Sequence, residues 1–382
     1  MSYNKYYIYK EQISLDNGVT WQDTGQATPS GNPIGTYETL TECESETPPT
    51  PPSPYESQYF TITSVGYVNI KFHISSANTQ YYYSRDSGET WVTGNSSTTI
   101  PVSSDKIMFK GNLTSVFTKG VGYFTATDSV EVEGNVMSLL YGDNFNGQKS
   151  LAGKGDVFDG LFSFNTNVLS ARNLVLPADT LDEFCYNNMF MGCTSLWEAP
   201  TTLPATTLAT NCYDGMFSGC TSLSSPPSLP AMTLADMCYG RMFTNCTALR
   251  RAPELPATTL AEGCYEAMFW GCTGLTTVPS VLPATALSPG CYLSMFYDCK
   301  SLASAPDLPA AILSPDCYRQ MFYGCKSLKY IKCLATYISA DNCTAYWVEK
   351  VSSTGTFVTP SSTNWSIGTL YGIPIGWTRV NA

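Results

Sequence analysis

One motif returns every 26 or 27 residues and limits what this chain can fold into. "CYNNMFMGCTSL", "CYDGMFSGCTSL", "CYGRMFTNCTAL", "CYEAMFWGCTGL", "CYLSMFYDCKSL" and "CYRQMFYGCKSL" begin at Cys185, Cys212, Cys238, Cys264, Cys291 and Cys317, and Cys343 continues the series. A fixed period of this size marks a stack of like units, each too small to bury its apolar residues alone. Within one unit Leu208, Cys212, Met216 with Phe217, Cys220 and Leu223 fall three or four residues apart, the spacing of an apolar helical stripe. Asp214 and Gly215 lie off that stripe and are expected to face solvent. The segment that follows, "SLSSPPSLP", is short and bound by prolines, and fits a strand or extended run. The expectation is a solenoid with one helix and one short strand per unit.

The fifteen cysteines do not read as a disulfide framework. Two cysteines eight residues apart on a helix would be separated by about 12 Å, beyond the ~7 Å Cα limit for a bridge. A metal site is no better supported, because the only histidine is His73 and no Cys-x-x-Cys pair occurs. The expectation is small, buried, reduced side chains. Pairing of Cys43, Cys333 or Cys343 is left open.

The run "MF-x-x-C-x-x-L" inside units of this length resembles the BspA-like leucine-rich repeats of surface proteins from anaerobic and gut bacteria. The fuller form, "LPATTLA-x-x-CY-x-x-MF-x-GCTSL", is similar to repeats of Bacteroides-type genomes and their phages. The likeness covers six units from Leu174 to about Ile331 and a decayed seventh at "LATYISADNCTAYWV". It implies a leucine-rich-repeat solenoid and, by analogy, adhesion. Upstream, "DVFDGLFSFNTNVL" keeps Leu161, Phe162 and Leu169 in register without the cysteines and reads as an N-terminal cap.

Ahead of the repeats, "SLDNGVTW" at 14–21 and "SRDSGETW" at 84–91 share Ser-x-Asp-x-Gly-x-Thr-Trp, which resembles the Asp-box of sialidases. Physically this is a hairpin turn in which Asp accepts backbone hydrogen bonds, Gly takes positive φ and Trp packs back across the strand. Only seven arginines occur in the chain, and sialidase chemistry would need a propeller and an arginine cluster. Alternating short apolar runs give a small β module at 1–42, a possible anchor, and a β-sandwich-like domain at 58–134. The stretch "ECESETPPTPPSPYES" makes 43–57 a proline-rich linker. The solenoid with its cap occupies 135–349 and a β-rich cap 350–382. The fold class expected is therefore α+β and multi-domain.

With 31 acidic and 20 basic residues, net charge −11, the chain disfavours nucleic acid and anionic lipid as partners. No apolar run suits a membrane span or a secretory signal. No nucleophile elbow, phosphate-cradling loop or carboxylate pair stands out, so no catalytic residue, metal or cofactor is expected. The expectation is a non-enzymatic recognition protein, a tail or head appendage of a phage virion. It would bind bacterial surface polysaccharide or an outer-membrane protein through the repeats and other virion proteins through the N-terminal module. An exported bacterial adhesin, extracellular or at the cell surface, is the alternative; a glycan-acting enzyme is the third. Ligand-binding candidates are the outward positions that drift between units. Trp197, Arg250, Arg251 and Tyr330 follow the repeat leucine, and Trp270, Tyr297 and Tyr323 stand two residues before the second cysteine.

Overall fold

The computed structural model describes residues 6–9, 12–14, 22–23, 35–37, 54–74, 80–113, 122–368 and 370–382. The chain forms two compact units, Met1–Ser53 and Pro54–Ala382. In the first, β1 (Tyr6–Tyr9), β2 (Gln12–Ser14), β3 (Gln22–Asp23) and β4 (Gly35–Tyr37) pair antiparallel in the order β3-β2-β1-β4. The first Asp-box copy beyond Ser14, Cys43 and most of the proline-rich segment lie outside the described residues.

The second unit opens with β5 (Phe60–Ser64), β6 (Tyr67–His73), β7 (Tyr81–Ser84), β8 (Val92–Gly94), β9 (Thr99–Ser103), β10 (Lys106–Gly111), β11 (Tyr123–Ala126) and β12 (Val130–Asn135). A four-residue helix α1 (Ser138–Tyr141) and then β13 (Val168–Val175) follow. One sheet has the order β13-β12-β5-β10-β7-β8 and the other β11-β6-β9. Alternation sets the inward faces. Val68, Ile70 and Phe72 of β6 and Ile107 and Phe109 of β10 are buried between polar or half-exposed neighbours. Phe72 and Phe124 stack at 4.1 Å, Phe124 meets Phe162 at 5.9 Å, and Phe162 meets Phe190 at 5.1 Å, so one apolar core runs from the sheets into the repeats.

The second Ser-x-Asp-x-Gly-x-Thr-Trp copy closes the β7–β8 hairpin. Asp86 Oδ1 accepts from Thr90 N at 2.9 Å and from Ser84 Oγ at 2.7 Å. Gly88 has φ +92°, and Trp91 packs edge-on against Tyr59 at 4.9 Å.

The repeats contain no helix, which corrects the expected α+β solenoid of one helix and one strand per unit. Among the described residues the one α-helix is α1, outside the repeated motif. Every fourth residue has positive φ: Asn211 at 57°, Gly215 at 61° and Gly219 at 77° in one coil, Gly263, Ala267 and Gly271 in another. A right-handed helix cannot absorb that conformation. Alternate amides instead close turns, as in Cys212 N to Ala209 O, Met216 N to Tyr213 O and Cys220 N to Phe217 O. Asn211, Gly215 and Gly219 then stand where a type II turn requires positive φ. The amides between them, on Asn211, Tyr213, Gly215, Phe217 and Gly219, donate to carbonyls of the next coil at 2.7–3.0 Å. Each coil is thus a ribbon of turns tied to its neighbour through the main chain. The apolar spacing of four fits this ribbon and a helix equally.

The fixed residues face inward. Cys212, Tyr213, Met216, Phe217, Cys220 and Leu223 are all 0% exposed. Leu208 is only partly buried. The repeated Phe rings from Phe190 to Phe322 stack at 5.6–5.7 Å within 6° of parallel. The Tyr rings from Tyr186 to Tyr318 stack at 5.7–6.0 Å. Trp347 ends both columns, 6.3 Å from Tyr318 and 6.4 Å from Phe322. The extended segments meet in single parallel bridges such as Ser170 to Glu198 and Glu198 to Ser225. That row ends in a parallel sheet of β14 (Tyr330–Lys332), β15 (Thr356–Thr359) and β16 (Thr378–Asn381).

Asp214 does not face solvent as its place off the stripe implies. It is 8% exposed. Arg241 of the next coil grips it with Nε at 3.1 Å and a terminal nitrogen at 2.7 Å. Burial outweighs that guanidinium and holds the Asp214 carboxyl above its ordinary range.

Candidate functional site

The turn ribbon leaves the residue two before each second cysteine at the edge of the stack. In three successive coils that residue is aromatic. Trp270 is 42% exposed, and Tyr297 and Tyr323 are half-buried. Trp270 and Tyr297 lie 4.6 Å apart at 37°, and Tyr297 and Tyr323 lie 4.6 Å apart at 10°. Lys350 completes the row: its Nζ stands 4.6 Å from the Tyr323 ring centre and bonds the Tyr323 hydroxyl, which raises the Lys350 pKa. Desolvation and the neighbouring Tyr323 raise that of Tyr297.

This packing decides what the column can offer. Tyr297 has a ring on each side, so both its faces are occupied, while Tyr323 has one face on Tyr297 and its hydroxyl on Lys350. A ligand meets ring edges, phenol hydroxyls, the Lys350 ammonium and the face of Trp270 turned towards Thr244. Upstream the same position holds Met191, Ser218 and Thr244, so the aromatic strip begins at Trp270.

The other candidates form a separate row. Trp197 is 46% exposed, Arg250 and Arg251 are exposed, and Tyr330 is half-buried at the start of β14. Their backbones belong to the bridge row: Ser224 N donates to Trp197 O at 3.2 Å, Thr276 N to Arg250 O at 3.0 Å, and Ala305 N to Tyr330 O at 3.0 Å. Arg251 borders a groove of about 530 Å³ walled by Pro226, Pro227, Pro230, Pro253 and Pro256. Within a coil this row follows the aromatic column by six or seven residues, as Arg250 and Arg251 follow Thr244. The candidates therefore fall on two lines. Lys350 joins the first, and sequence reading passed it over because it stands outside the aromatic pattern.

The cysteines take a structural part. All fourteen among the described residues are buried and unpaired. Thiols of the second column donate to the phenylalanine carbonyl of the preceding coil, Cys220 to Phe190 and Cys246 to Phe217 at 3.1 Å, Cys272 to Phe243 at 3.0 Å. Burial pushes the Cys212 and Cys220 thiols up to about 12, so neither is a thiolate at neutral pH. Among the described residues no three His, Cys, Asp or Glu side chains come together as a metal site. His73 stacks on Tyr123 at 4.5 Å and lies 2.9 Å from Thr125 Oγ1; burial, and then Lys71, lower its pKa. Among the described residues no helix is long and apolar enough to cross a membrane.

No family model and no curated protein matches the chain. Among solved structures, a leucine-rich repeat protein from Bacteroides ovatus is similar over 70% of this chain and 88% of its own, at 16% identity and a TM-score of 0.21.

Proposed function

We propose that this repeat protein is a non-enzymatic recognition component of a phage particle, a tail or head appendage that binds a bacterial surface component through its repeats. The observation that carries the reading is the aromatic column of Trp270, Tyr297 and Tyr323 at the edge of the stack, ended by Lys350, on coils tied together through the backbone. Rigid scaffolds that repeat one outward position suit extended ligands, because the ordering cost has already been met in folding. Aromatic edges and phenol hydroxyls suit a polysaccharide or an outer-membrane protein loop, and Arg250 and Arg251 add donors for anionic groups. The first compact unit, Met1–Ser53, would serve as the anchoring module that meets other virion proteins.

Full-length protein is expected to sediment with intact bacterial cells. A Trp270→Ala, Tyr297→Ala double variant should lose at least about tenfold in apparent affinity. Protease treatment of the cells separates a protein receptor from a glycan. Undiminished binding by the double variant would remove the column from the interface, and release of glycan fragments would refute the non-enzymatic reading.

A further inference from the structure

A second site lies at the other end of the repeats, where the β11-β6-β9 sheet meets the first coils. A cleft of about 530 Å³ opens there between Tyr123 and Thr125 of β11 and Asp159, Phe164, Asn188 and Met191 of the first two coils. We infer that this cleft binds a saccharide of one or two rings, on an aromatic wall of Phe164 and Tyr123 with hydroxyl contacts to Asp159, Asn188 and Thr125.

Phe164 is the central observation. It occupies the third left-handed position of its coil, with φ 58°. In the following six coils that position holds Gly192, Gly219, Asn245, Gly271, Asp298 and Gly324, residues that tolerate positive φ, and only in the last coil, at Lys350, does another long side chain take it. A phenylalanine is strained there, and its ring is 69% exposed, so burial does not repay the strain. The ring rests on Gly192, where an added Cβ would stand 2.7 Å from Phe164 Cδ1. Any other residue at 192 would displace it. A strained, exposed, supported aromatic at the mouth of a cleft is a local rule broken without structural benefit, and binding sites are where such breaks occur.

The opposite wall is fixed as well. Tyr123 and Thr125 share one face of β11 while Phe124 between them enters the core. His73, paired with Tyr123 across the strands, holds both: its ring lies 4.5 Å from the Tyr123 ring at 8°, and its Nε2 is 2.9 Å from Thr125 Oγ1. Asp159 is 7% exposed.

The lining selects the ligand class. Among the described residues no Lys or Arg lines the cleft and a carboxylate does, so phosphates and other anions are disfavoured. A carboxylate that accepts, an amide that does both and a hydroxyl that does both match sugar hydroxyls, which also give and take. The aromatic wall matches the C–H face of a pyranose. The volume falls within the range of small-molecule sites. This inference does not rest on the aromatic column and survives its failure.

The test is saturation-transfer NMR on the full chain with free glucose, galactose, mannose, N-acetylglucosamine and their β-linked disaccharides. At least one sugar should bind with a Kd on the order of 1 mM. Phe164→Gly supplies the residue that other coils use, so it should fold with equal or higher stability while weakening that sugar roughly tenfold. Thr125→Val should weaken it by a smaller factor, and Trp270→Ala should leave it unchanged. Absence of transfer from every sugar, or unchanged binding in Phe164→Gly, overturns the proposal. Loss in Trp270→Ala with retention in Phe164→Gly would move the sugar site to the aromatic column.

Discussion

Tyr213→Phe should stabilise this protein, although it deletes a polar group from the most buried part of the stack. Tyr213 is 0% exposed between Tyr186 at 5.7 Å and Tyr239 at 5.8 Å, and the hydroxyls of all three meet no partner among the described residues. A hydroxyl left unbonded inside a protein costs about 1–3 kcal/mol of lost hydration. Its removal sacrifices a few atomic contacts of roughly 0.1–0.2 kcal/mol each. The ring stays in its column, so the net gain is about 1 kcal/mol, or ~1–2 °C for a unit of this size. Phe217→Ala sets the opposite scale. That ring is 0% exposed and flanked at 5.6 and 5.7 Å, so its loss should cost about 3–5 kcal/mol. Urea denaturation followed by tryptophan fluorescence reads both, because Trp347 closes the same two columns. The Tyr186, Tyr213 and Tyr239 changes touch one another, and their sum need not be additive. A loss of 1 kcal/mol or more in Tyr213→Phe would mean that its hydroxyl is bonded and the column is seated differently.

Two further outcomes follow from burial. Thiol titration of native protein without reductant should leave fourteen cysteines unreactive, and denaturation should release all of them; recovery of only a few free thiols would show that the coils are disulfide-linked. Burial raises the Asp214 and Glu266 carboxyls above their ordinary range, so each favours the fold in its protonated form. That contribution is complete below the ordinary carboxyl range and is lost as pH rises through the raised values. The fall in stability from pH 4 to pH 7 should therefore be smaller in an Asp214→Asn, Glu266→Gln variant than in the parent protein, and an equal or larger fall would refute the assignment.

The inward set of the repeats was legible in the sequence, and the backbone that presents it was not. Period and apolar spacing located Cys212, Met216, Phe217, Cys220 and Leu223, all buried. The same spacing serves a helix and a turn ribbon, since both return an inward residue after four. The discriminating signal lay in the outward residues: a position that reads Gly, Gly, Asn, Gly, Asp, Gly from Gly192 to Gly324 favours left-handed backbone in every unit. Phe164 and Lys350, at φ 58° and 61°, then stand out as the exceptions at that position. Asp214 was misplaced because its burial depends on Arg241, one period away and invisible within a single unit. The aromatic strip was legible as a column, but its close packing was not, because spacing along the chain does not fix how side chains lean.

That difference in spacing ties architecture to binding. Inside the stack the coils are held by main-chain hydrogen bonds, and the Phe rings follow them at 5.6–5.7 Å. At the edge, Tyr297 and Tyr323 close to 4.6 Å, which they can do only by leaning towards each other. Closure satisfies the ring faces and leaves hydroxyls and edges outward, so the surface on offer is set by contacts between coils. Because backbone bonds between coils do not depend on side-chain identity, an edge residue can change without loosening the frame, whereas an inward one cannot. A chain built in this way can alter what it recognises, one coil at a time, at little cost to its stability.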